Sequence, residues 1–315
     1  MNIQQLEYII AVDNHRHFAK AAEVCHISQP TLSAMIQKLE DELGVKLFDR
    51  SKYPVEPTLI GKQIIEQARV SLRNFGQIRE IAENEQNMAK GVFKLGIIPT
   101  IAPYLIPELL NKWEKRPERY HKIGLVLKES TTDAMLKEIL GGVLDGGLLA
   151  GPLNHPGIVE HPLYYEKFFA YVSKEDAYKD KEIDLGQVNI RNIWLLENVH
   201  CFRGQIERLC RMKRKSTENS TSVRYEAGSI DTLINIVDYN KGITIIPEMS
   251  AMGLSEERQE NLRVFKDLSA VREVSLMVSK DYIRKTMLNV VTDVIRQSVP
   301  KSMLDTSLKD YVVEI

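Results

Sequence analysis

Apolar positions near the amino terminus repeat at helical spacing in two neighbouring stretches separated by a sharp break. The first stretch offers small and apolar packing residues, Phe18, Ala19, Ala22 and Val24. The second stretch continues the repeat with Leu32, Met35, Ile36, Leu39 and Leu43. Ser28 is a suitable N-cap, Pro30 falls in the first turn where its missing N–H costs nothing, and Gly44 is a suitable C-cap. Two short helices with a tight connection predict a helix-turn-helix.

The second predicted helix has a polar side with hydrogen-bonding groups on Gln29, Thr31, Ser33, Gln37 and Lys38. Amide and hydroxyl groups near a helix N-terminus can reach base edges, while the N-terminus itself favours a phosphate. The following stretch, KLFDRSKYPVEPTLIG, is typical of a hairpin wing in which Arg50 and Lys52 touch the DNA backbone or minor groove. Residues 1–60 contain six Lys or Arg against eight Asp or Glu, so the prediction of DNA binding rests on the motif and not on charge.

A single long helix is predicted from Thr58 onward, because the chain there has no proline and its apolar residues recur in steps of four and three. The apolar seam consists of Ile60, Ile64, Ala68, Leu72, Phe75, Ile78 and Ala82. A solitary helix of this length would expose its seam, so we expect the seam to pack on a second copy of the chain. Gly91 is predicted to end the helix and to mark a domain boundary.

Beyond Gly91, short apolar runs alternate with helical stretches, which indicates an α/β region with parallel sheets. The predicted strands are residues 92–98, 122–130, 145–151, 168–174, 193–198, 242–247 and 273–280. Residues 164–270 look inserted between two parts of an outer unit, so we expect two lobes with a ligand cleft between them. No Gly-rich phosphate loop and no nucleophile elbow is present in the sequence, and no metal-spaced Cys/His cluster either.

Composition indicates an ordinary folded protein with more than one domain. The chain has 315 residues, of which 43% are hydrophobic and 27% charged, and a net charge of −1. The start, MNIQQLEYII, lacks the features of a signal peptide, and no apolar run is long enough for a membrane span. We therefore expect a cytoplasmic protein without a membrane partner. Three cysteines in a reducing compartment argue against a structural disulfide.

Two of those cysteines, Cys201 and Cys210, lie in the stretch HCFRGQIERLC. On a continuous helix nine residues rise about 13.5 Å, whereas a disulfide needs Cα atoms roughly 4.4–6.8 Å apart. Bonding this pair therefore requires a loop or the refolding of the element between them. The thiolate form of Cys201 is favoured by His200 and Arg203 beside it, and that of Cys210 by the basic run RMKRK directly after it. Thiolates are the form of cysteine that reacts with peroxides. The alternative is that both cysteines are small buried apolar residues.

The first ninety residues resemble the winged helix-turn-helix of LysR-type transcriptional regulators. The likeness is carried by the HISQPTLS run, the LEDELGVKLFDR run and the PTLIG that follows. It implies that the second helix is the recognition helix and lies in the major groove, and that Arg50 and Ser51 belong to the wing. The DNA-binding candidates are Ser28, Gln29, Pro30, Thr31, Ser33, Lys38, Arg50 and Ser51. The domains implied are 1–58, winged helix-turn-helix; 59–90, linker and dimerisation helix; and 91–315, a two-lobed, periplasmic-binding-protein-like regulatory region.

The regulatory half is similar to the hydrogen peroxide sensors of the same family. That likeness is carried by HCFRGQIERLC, by IPTIAPYLIP at 98–107 and by YEAGSIDTLINIVDYNKGITIIP at 225–247. It implies that Cys201 is the peroxidatic cysteine and Cys210 the resolving one. It further implies that peroxide is held or activated by Thr100, Thr132, His200 and Arg203. Gly204 departs from the aspartate usual in those sensors, so we expect a polar contact near Cys201 to be absent.

The resemblance implies double-stranded DNA at promoter operators, RNA polymerase and further copies of the chain as partners, in a dimer or a tetramer. Hydrogen peroxide is the implied signal, and no cofactor or metal is expected. An alternative is a LysR-type regulator in which a small metabolite occupies the cleft and the cysteines are inert. A third hypothesis, a thiol peroxidase, requires many turnovers with a reductant and lacks any other catalytic constellation, so we expect a regulator and not an enzyme.

Overall fold

A computed structural model describes residues 1–85, 90–174, 180–184, 193–197, 201–209, 227–266 and 270–313. The chain forms two compact units, Met1–Met88 and Ala89–Ile315. Within the described residues, no helix is long and apolar enough to cross a membrane.

The first unit contains the predicted helix-turn-helix and wing. Its elements are α1 (Ile3–His15), α2 (Phe18–Val24), α3 (Gln29–Leu43), β1 (Phe48–Asp49), β2 (Glu56–Pro57) and α4 (Leu59–Glu85). Ser28 caps α3 and Gly44 ends it in the left-handed region, with φ of 70°, as the sequence predicts. Buried Leu32, Ile36 and Leu39 hold α3 against the other helices of this unit. Strands β1 and β2 pair antiparallel and form the wing.

The apolar seam of α4 divides into two parts. Ala68 is buried in the core of the first unit, and Ile64 and Leu72 pack against that core. The seam therefore does not serve a second copy along its whole length, because its first part covers this unit's own core. Phe75 and Ile78, farther along, are 51% and 66% exposed. Among the described seam residues, Phe75 and Ile78 are therefore available to another chain, as is Ile60 at the start of the helix, which is 42% exposed.

The second unit is built on one mixed sheet with strand order β4-β3-β5-β10-β6-β9-β7, and β8 pairs with β6. The strands are β3 (Gly91–Ile97), β4 (Ile123–Glu129), β5 (Gly146–Gly151), β6 (Ile158–Val172), β7 (Glu182–Ile183), β8 (Ile243–Pro247), β9 (Leu262–Phe265) and β10 (Val271–Ser279). The helices are α5 (Ala102–Glu114), α6 (Thr132–Leu140), α7 (Cys201–Leu209), α8 (Ile230–Asn240), α9 (Glu248–Met252), α10 (Glu256–Gln259) and α11 (Lys285–Gln297). Short 3₁₀ helices cover Glu118–Tyr120, Lys301–Leu304 and Thr306–Tyr311.

The expectation of parallel sheets is confirmed only in part. Strand β3 pairs parallel with β4 and β5, but β10 pairs antiparallel with both β5 and β6. The reason is topological: β6 carries the chain out of the first lobe and β10 carries it back. Because β6 and β10 are neighbours in the sheet and cross between the lobes in opposite senses, they pair antiparallel. The predicted strand at 193–198 is also wrong, because Ile193 and Leu196 form only isolated bridges.

Two hydrophobic cores confirm the predicted lobes. The first lobe packs around Phe93, Ile97 and Leu148, together with residues of β10 and α11. The second lobe packs around the far half of β6, Phe202 and Ile234. Its buried core residues run from Phe168 to Phe265, which agrees with the predicted insertion.

Candidate functional site

The predicted DNA-reading residues gather at the exposed start of α3. Ser28 Oγ accepts from the Thr31 N–H at 3.3 Å and lies 2.8 Å from Thr31 Oγ1. Gln29, Pro30 and Lys38 are exposed, as are Ser28 and Thr31. This end of α3 therefore exposes the Gln29 amide beside the Ser28–Thr31 pair, at a helix N-terminus that favours phosphate.

Arg50 joins the wing to α3. Its Nη1 donates to Ser33 Oγ at 3.1 Å, and its guanidinium lies 5.1 Å from the centre of the Phe18 ring. Ser51 Oγ donates to Asp49 Oδ1 at 2.5 Å. Ser33 and Arg50 thus bind each other, and this contact fixes the wing relative to the candidate recognition helix.

Glu40 was not predicted from the sequence to have a role. Its carboxylate is buried and accepts hydrogen bonds from Leu47 N at 2.8 Å and Phe48 N at 3.3 Å. Lys46 Nζ donates to it at 3.3 Å and Arg50 Nη2 at 3.4 Å. The Glu40 carboxylate therefore fixes, by hydrogen bonds, the segment that connects α3 to the wing.

Thr100 and Thr132, the predicted peroxide contacts, follow the carboxyl ends of the paired parallel strands β3 and β4. Such ends meet at one edge of a sheet, which is where α/β proteins bind ligands. Both threonines are buried. Thr132 is the first residue of α6, and its Oγ1 has no hydrogen-bond partner among the described residues. A small polar ligand at this helix N-terminus would satisfy that hydroxyl.

A buried ion pair, also missed in the sequence, holds Thr100. Arg272 and Glu166 face each other across β10 and β6, and both side chains are 0% exposed. Arg272 Nη2 donates to Glu166 Oε2 at 2.9 Å, and Nη1 donates to Thr100 Oγ1 at 3.0 Å. The Arg272 guanidinium also lies 5.3 Å from the centre of the Phe202 ring on α7. Burial raises the pKa of the Glu166 carboxyl, and Arg272 opposes that rise.

Helix α7 begins at Cys201, directly before buried Phe202. Arg203, predicted to activate the peroxide, donates from Nε to Glu207 Oε1 at 2.9 Å and from Nη1 to the Leu196 carbonyl at 3.1 Å. It thereby ties α7 to the neighbouring segment. The side chain of Cys201 and all of His200 and Cys210 lie outside the described residues, so their predicted roles stay predictions.

Cys25 has the features of a packed residue. It is half-buried next to the core of the first unit. Burial, and secondly the charge of Glu7, raise the pKa of the Cys25 thiol, which disfavours the reactive thiolate. Among the residues that the structure describes, no three His, Cys, Asp or Glu side chains come together as metal ligands.

A cavity of about 600 Å³ lies between α5, α8, α9 and the end of α11. Across it, Tyr104 Oη donates to Asp231 Oδ1 at 3.1 Å and so links the two lobes. Thr100, Thr132 and Arg272 do not line this cavity. The sensing candidates and the cavity are therefore separate features of the second unit.

Comparison with known proteins gives the same family over both units. Residues 3–62 match the bacterial regulatory helix-turn-helix of the lysR family, and residues 86–300 match the LysR substrate binding domain. A hydrogen peroxide-inducible genes activator of Dickeya chrysanthemi is 34% identical over 79% of this chain and 80% of its own. The DNA-binding transcriptional dual regulator OxyR of Escherichia coli is 33% identical over 83% of each chain. A full-length OxyR cysteine variant from Pseudomonas aeruginosa superposes with a TM-score of 0.78 at 29% identity, covering 94% of this chain and 98% of that one.

Proposed function

The chain belongs to the LysR family of bacterial transcriptional regulators, and we propose that it senses hydrogen peroxide through a reversible Cys201–Cys210 disulfide. The observation that carries the proposal is the place of Cys201, at the first position of α7. The positive end of a helix favours a thiolate there. The next residue, Phe202, contacts the Arg272 guanidinium, which also holds Thr100. Similarity to peroxide-inducible activators supports the same proposal.

The proposed chemistry consumes one peroxide and both thiols. The Cys201 thiolate attacks one peroxide oxygen, the O–O bond breaks, and hydroxide leaves and takes up a proton to become water. Cys201 is then a sulfenic acid, with Thr100, Thr132, His200 and Arg203 assigned to hold or activate the peroxide. The Cys210 thiolate attacks the sulfenic sulfur and releases the second water, which closes the disulfide. A dithiol reductant reverses the bond by exchange, which fits the proposed location in a reducing cytoplasm.

The proposed output is altered binding to double-stranded promoter DNA by an oligomer. The eight DNA-binding candidates carry the contacts, and this part of the proposal is supported by the exposure of Gln29 at the start of α3, because an amide there can reach base edges. The exposed Phe75 and Ile78 on α4 support self-association through that helix. Because paired helix-turn-helix units require symmetric half-sites, the operator should be an imperfect palindrome. RNA polymerase is the proposed partner in activation.

Replacing Gly204 by alanine is expected to slow disulfide closure roughly fivefold, because alanine favours a helix by about 1 kcal/mol over glycine. A Cβ at Gly204 meets no atom within 4 Å, so the methyl group adds helix stability without a clash. Formation of the sulfenic acid should be unchanged, and the acid should accumulate before closure. Trapping it with dimedone and following the disulfide by mass spectrometry separates the two steps. Gly76→Ala is the matched control, because a Cβ at Gly76 also meets no atom within 4 Å but the residue lies in α4. Equal rates of disulfide closure in the wild type, Gly204→Ala and Gly76→Ala would contradict a requirement for α7 to unwind.

The proposal is tested by footprinting an operator selected from random DNA, with and without stoichiometric peroxide. The wild type and Cys25→Ser should change their footprint on oxidation. The double variant Cys201→Ser/Cys210→Ser should bind the operator but show one footprint under both conditions. A peroxide response that survives in the double variant would overturn the proposal.

A second candidate function, a LysR regulator of a small metabolite, is favoured by the cavity of about 600 Å³. That volume lies within the usual range for small-molecule sites, about 300–1,000 Å³. This candidate predicts that induction survives the double serine variant. The same footprinting experiment therefore distinguishes the two.

A further inference from the structure

The last described segment of the chain, residues 305–313, lies beyond the part that matches the LysR substrate-binding family, which ends at residue 300. We call it the tail. It begins with Asp305, which caps the 3₁₀ helix Thr306–Tyr311, and it ends on strand β10. The family match therefore does not account for what the tail does.

The end of the tail is fixed on two sides. Val313 N donates to the Val271 carbonyl at 2.9 Å, and Val312 forms a parallel bridge with Val271. The Val313 carbonyl accepts from Gln205 Nε2 at 3.2 Å. The side chain of Val313 also packs against the core of the second lobe. One residue of the tail thus connects strand β10 to helix α7.

Both attachment points adjoin the proposed sensor. Gln205 is 0% exposed and lies four residues, about one helical turn, after Cys201 in α7. Val271 directly precedes Arg272, which contacts Thr100 and Phe202. Because Gln205 lies between the two cysteines in sequence, any unwinding of α7 that brings them together displaces its amide.

We propose that the tail is a redox-sensitive clasp: it holds α7 in the reduced arrangement and is released when the Cys201–Cys210 disulfide forms. This inference rests on the proposed function. Contacts that exist only in the reduced form stabilise that form, so the clasp opposes oxidation and sets the threshold of the sensor. Release frees the tail from β10 as well as from α7, which makes the tail a reporter of the switch.

Hydrogen–deuterium exchange of the full-length protein tests release directly. In the reduced protein the Val313 amide should be protected, and in the oxidised protein the peptide that covers 306–313 should exchange at least tenfold faster. Peptide mapping of the same samples reports whether the disulfide is present. Absence of the disulfide contradicts the proposed function. A disulfide with unchanged protection of the tail overturns the clasp alone.

Replacing Gln205 by methionine keeps the length and helix preference of the side chain but removes the donor to Val313. One lost hydrogen bond should accelerate disulfide closure roughly fivefold. Gln259→Met is the matched control, because Gln259 Nε2 also donates to a backbone carbonyl, that of Leu254 at 3.0 Å, outside α7 and the tail. Truncation after Tyr311 should have the same effect as Gln205→Met.

The two changes combined should have no more effect than either alone, since both remove the same link. Additive acceleration, or no acceleration by truncation, would show that Gln205 acts on α7 without the tail. Sulfenic acid formation, measured by dimedone trapping, should stay within twofold of the wild type in these variants. A larger change would place the effect on the peroxide reaction and contradict the clasp.

Discussion

Replacing Arg272 by methionine is expected to destabilise the second unit by about 3–5 kcal/mol, because it leaves the Glu166 carboxylate buried without a cation. Both side chains are fully buried, and Arg272 also supplies hydrogen bonds to Thr100. Urea unfolding followed by tryptophan fluorescence measures the change, since both tryptophans, Trp113 and Trp194, lie in the second unit. The double variant Arg272→Met/Glu166→Leu should recover most of the loss, because an apolar pair leaves no buried charge.

The pH dependence of the Arg272→Met variant provides a second readout. Burial raises the pKa of Glu166 and Arg272 opposes that rise, so removing the arginine raises the pKa further. A carboxyl whose folded pKa lies above its unfolded value stabilises the fold below the unfolded pKa and loses that contribution as pH rises through the folded pKa. The deficit of the variant relative to the wild type should therefore shrink as the pH is lowered from 7 to 4. A deficit that is small at neutral pH, or independent of pH, would show that the pair is not what holds β6 and β10 here.

Replacing Glu40 by alanine is expected to destabilise the first unit by about 2–4 kcal/mol, because two buried backbone N–H groups lose their acceptor. Those groups belong to Leu47 and Phe48, at the start of the wing. Arg50 also loses one of its two hydrogen-bond partners and keeps only Ser33, so the wing should be held less firmly on α3 and operator affinity should fall at least tenfold. Exchange protection of residues 45–57 and operator binding by fluorescence anisotropy measure the two effects.

Glu42→Ala is the matched control for Glu40. Glu42 is 50% exposed and pairs with the terminal amine of Met1, and exposed pairs of this kind contribute less than about 1 kcal/mol. The control should bind the operator like the wild type. Equal loss in both variants would mean that general negative charge on α3, and not the buried carboxylate, determines the effect.

The helix-turn-helix could be predicted because its signals are local. Ser28, Pro30 and Gly44 act within one turn of their own position in the chain, and the apolar repeat of α3 needs no information from elsewhere. The two lobes also followed from the sequence, since alternating strands and helices mark an α/β region.

The direction of β10 could not be predicted, because it depends on which strands become neighbours. Strand β6 was predicted from residue 168 but begins at Ile158, since the polar residues before Phe168 break the apolar run. The pairing of Glu166 with Arg272 could not be predicted either, because the two residues are 106 positions apart and become neighbours only through the register of β6 and β10.

Two further residues carry no local signal. In sequence, Glu40 is one of three consecutive acidic residues, and only the return of the chain at Leu47 shows that it is buried. Gln205 resembles an exposed helical glutamine until the tail, more than a hundred positions later, supplies its acceptor. Glu40 is bonded by residues six to ten positions later and Gln205 by a residue 108 positions later, so neither contact shows in the local motifs that hold the reactive and DNA-reading residues.

Peptide mapping of the reduced protein before and after stoichiometric hydrogen peroxide, with remaining thiols alkylated, tests the proposed switch most directly. A peroxide-sensing pair should give one cross-linked peptide that joins Cys201 to Cys210, a loss of two hydrogens, and an alkylated Cys25, all within seconds to minutes. If Cys201 and Cys210 both remain alkylatable, peroxide sensing by this pair is contradicted, and ligands of the cavity between the lobes become the next candidates for the signal.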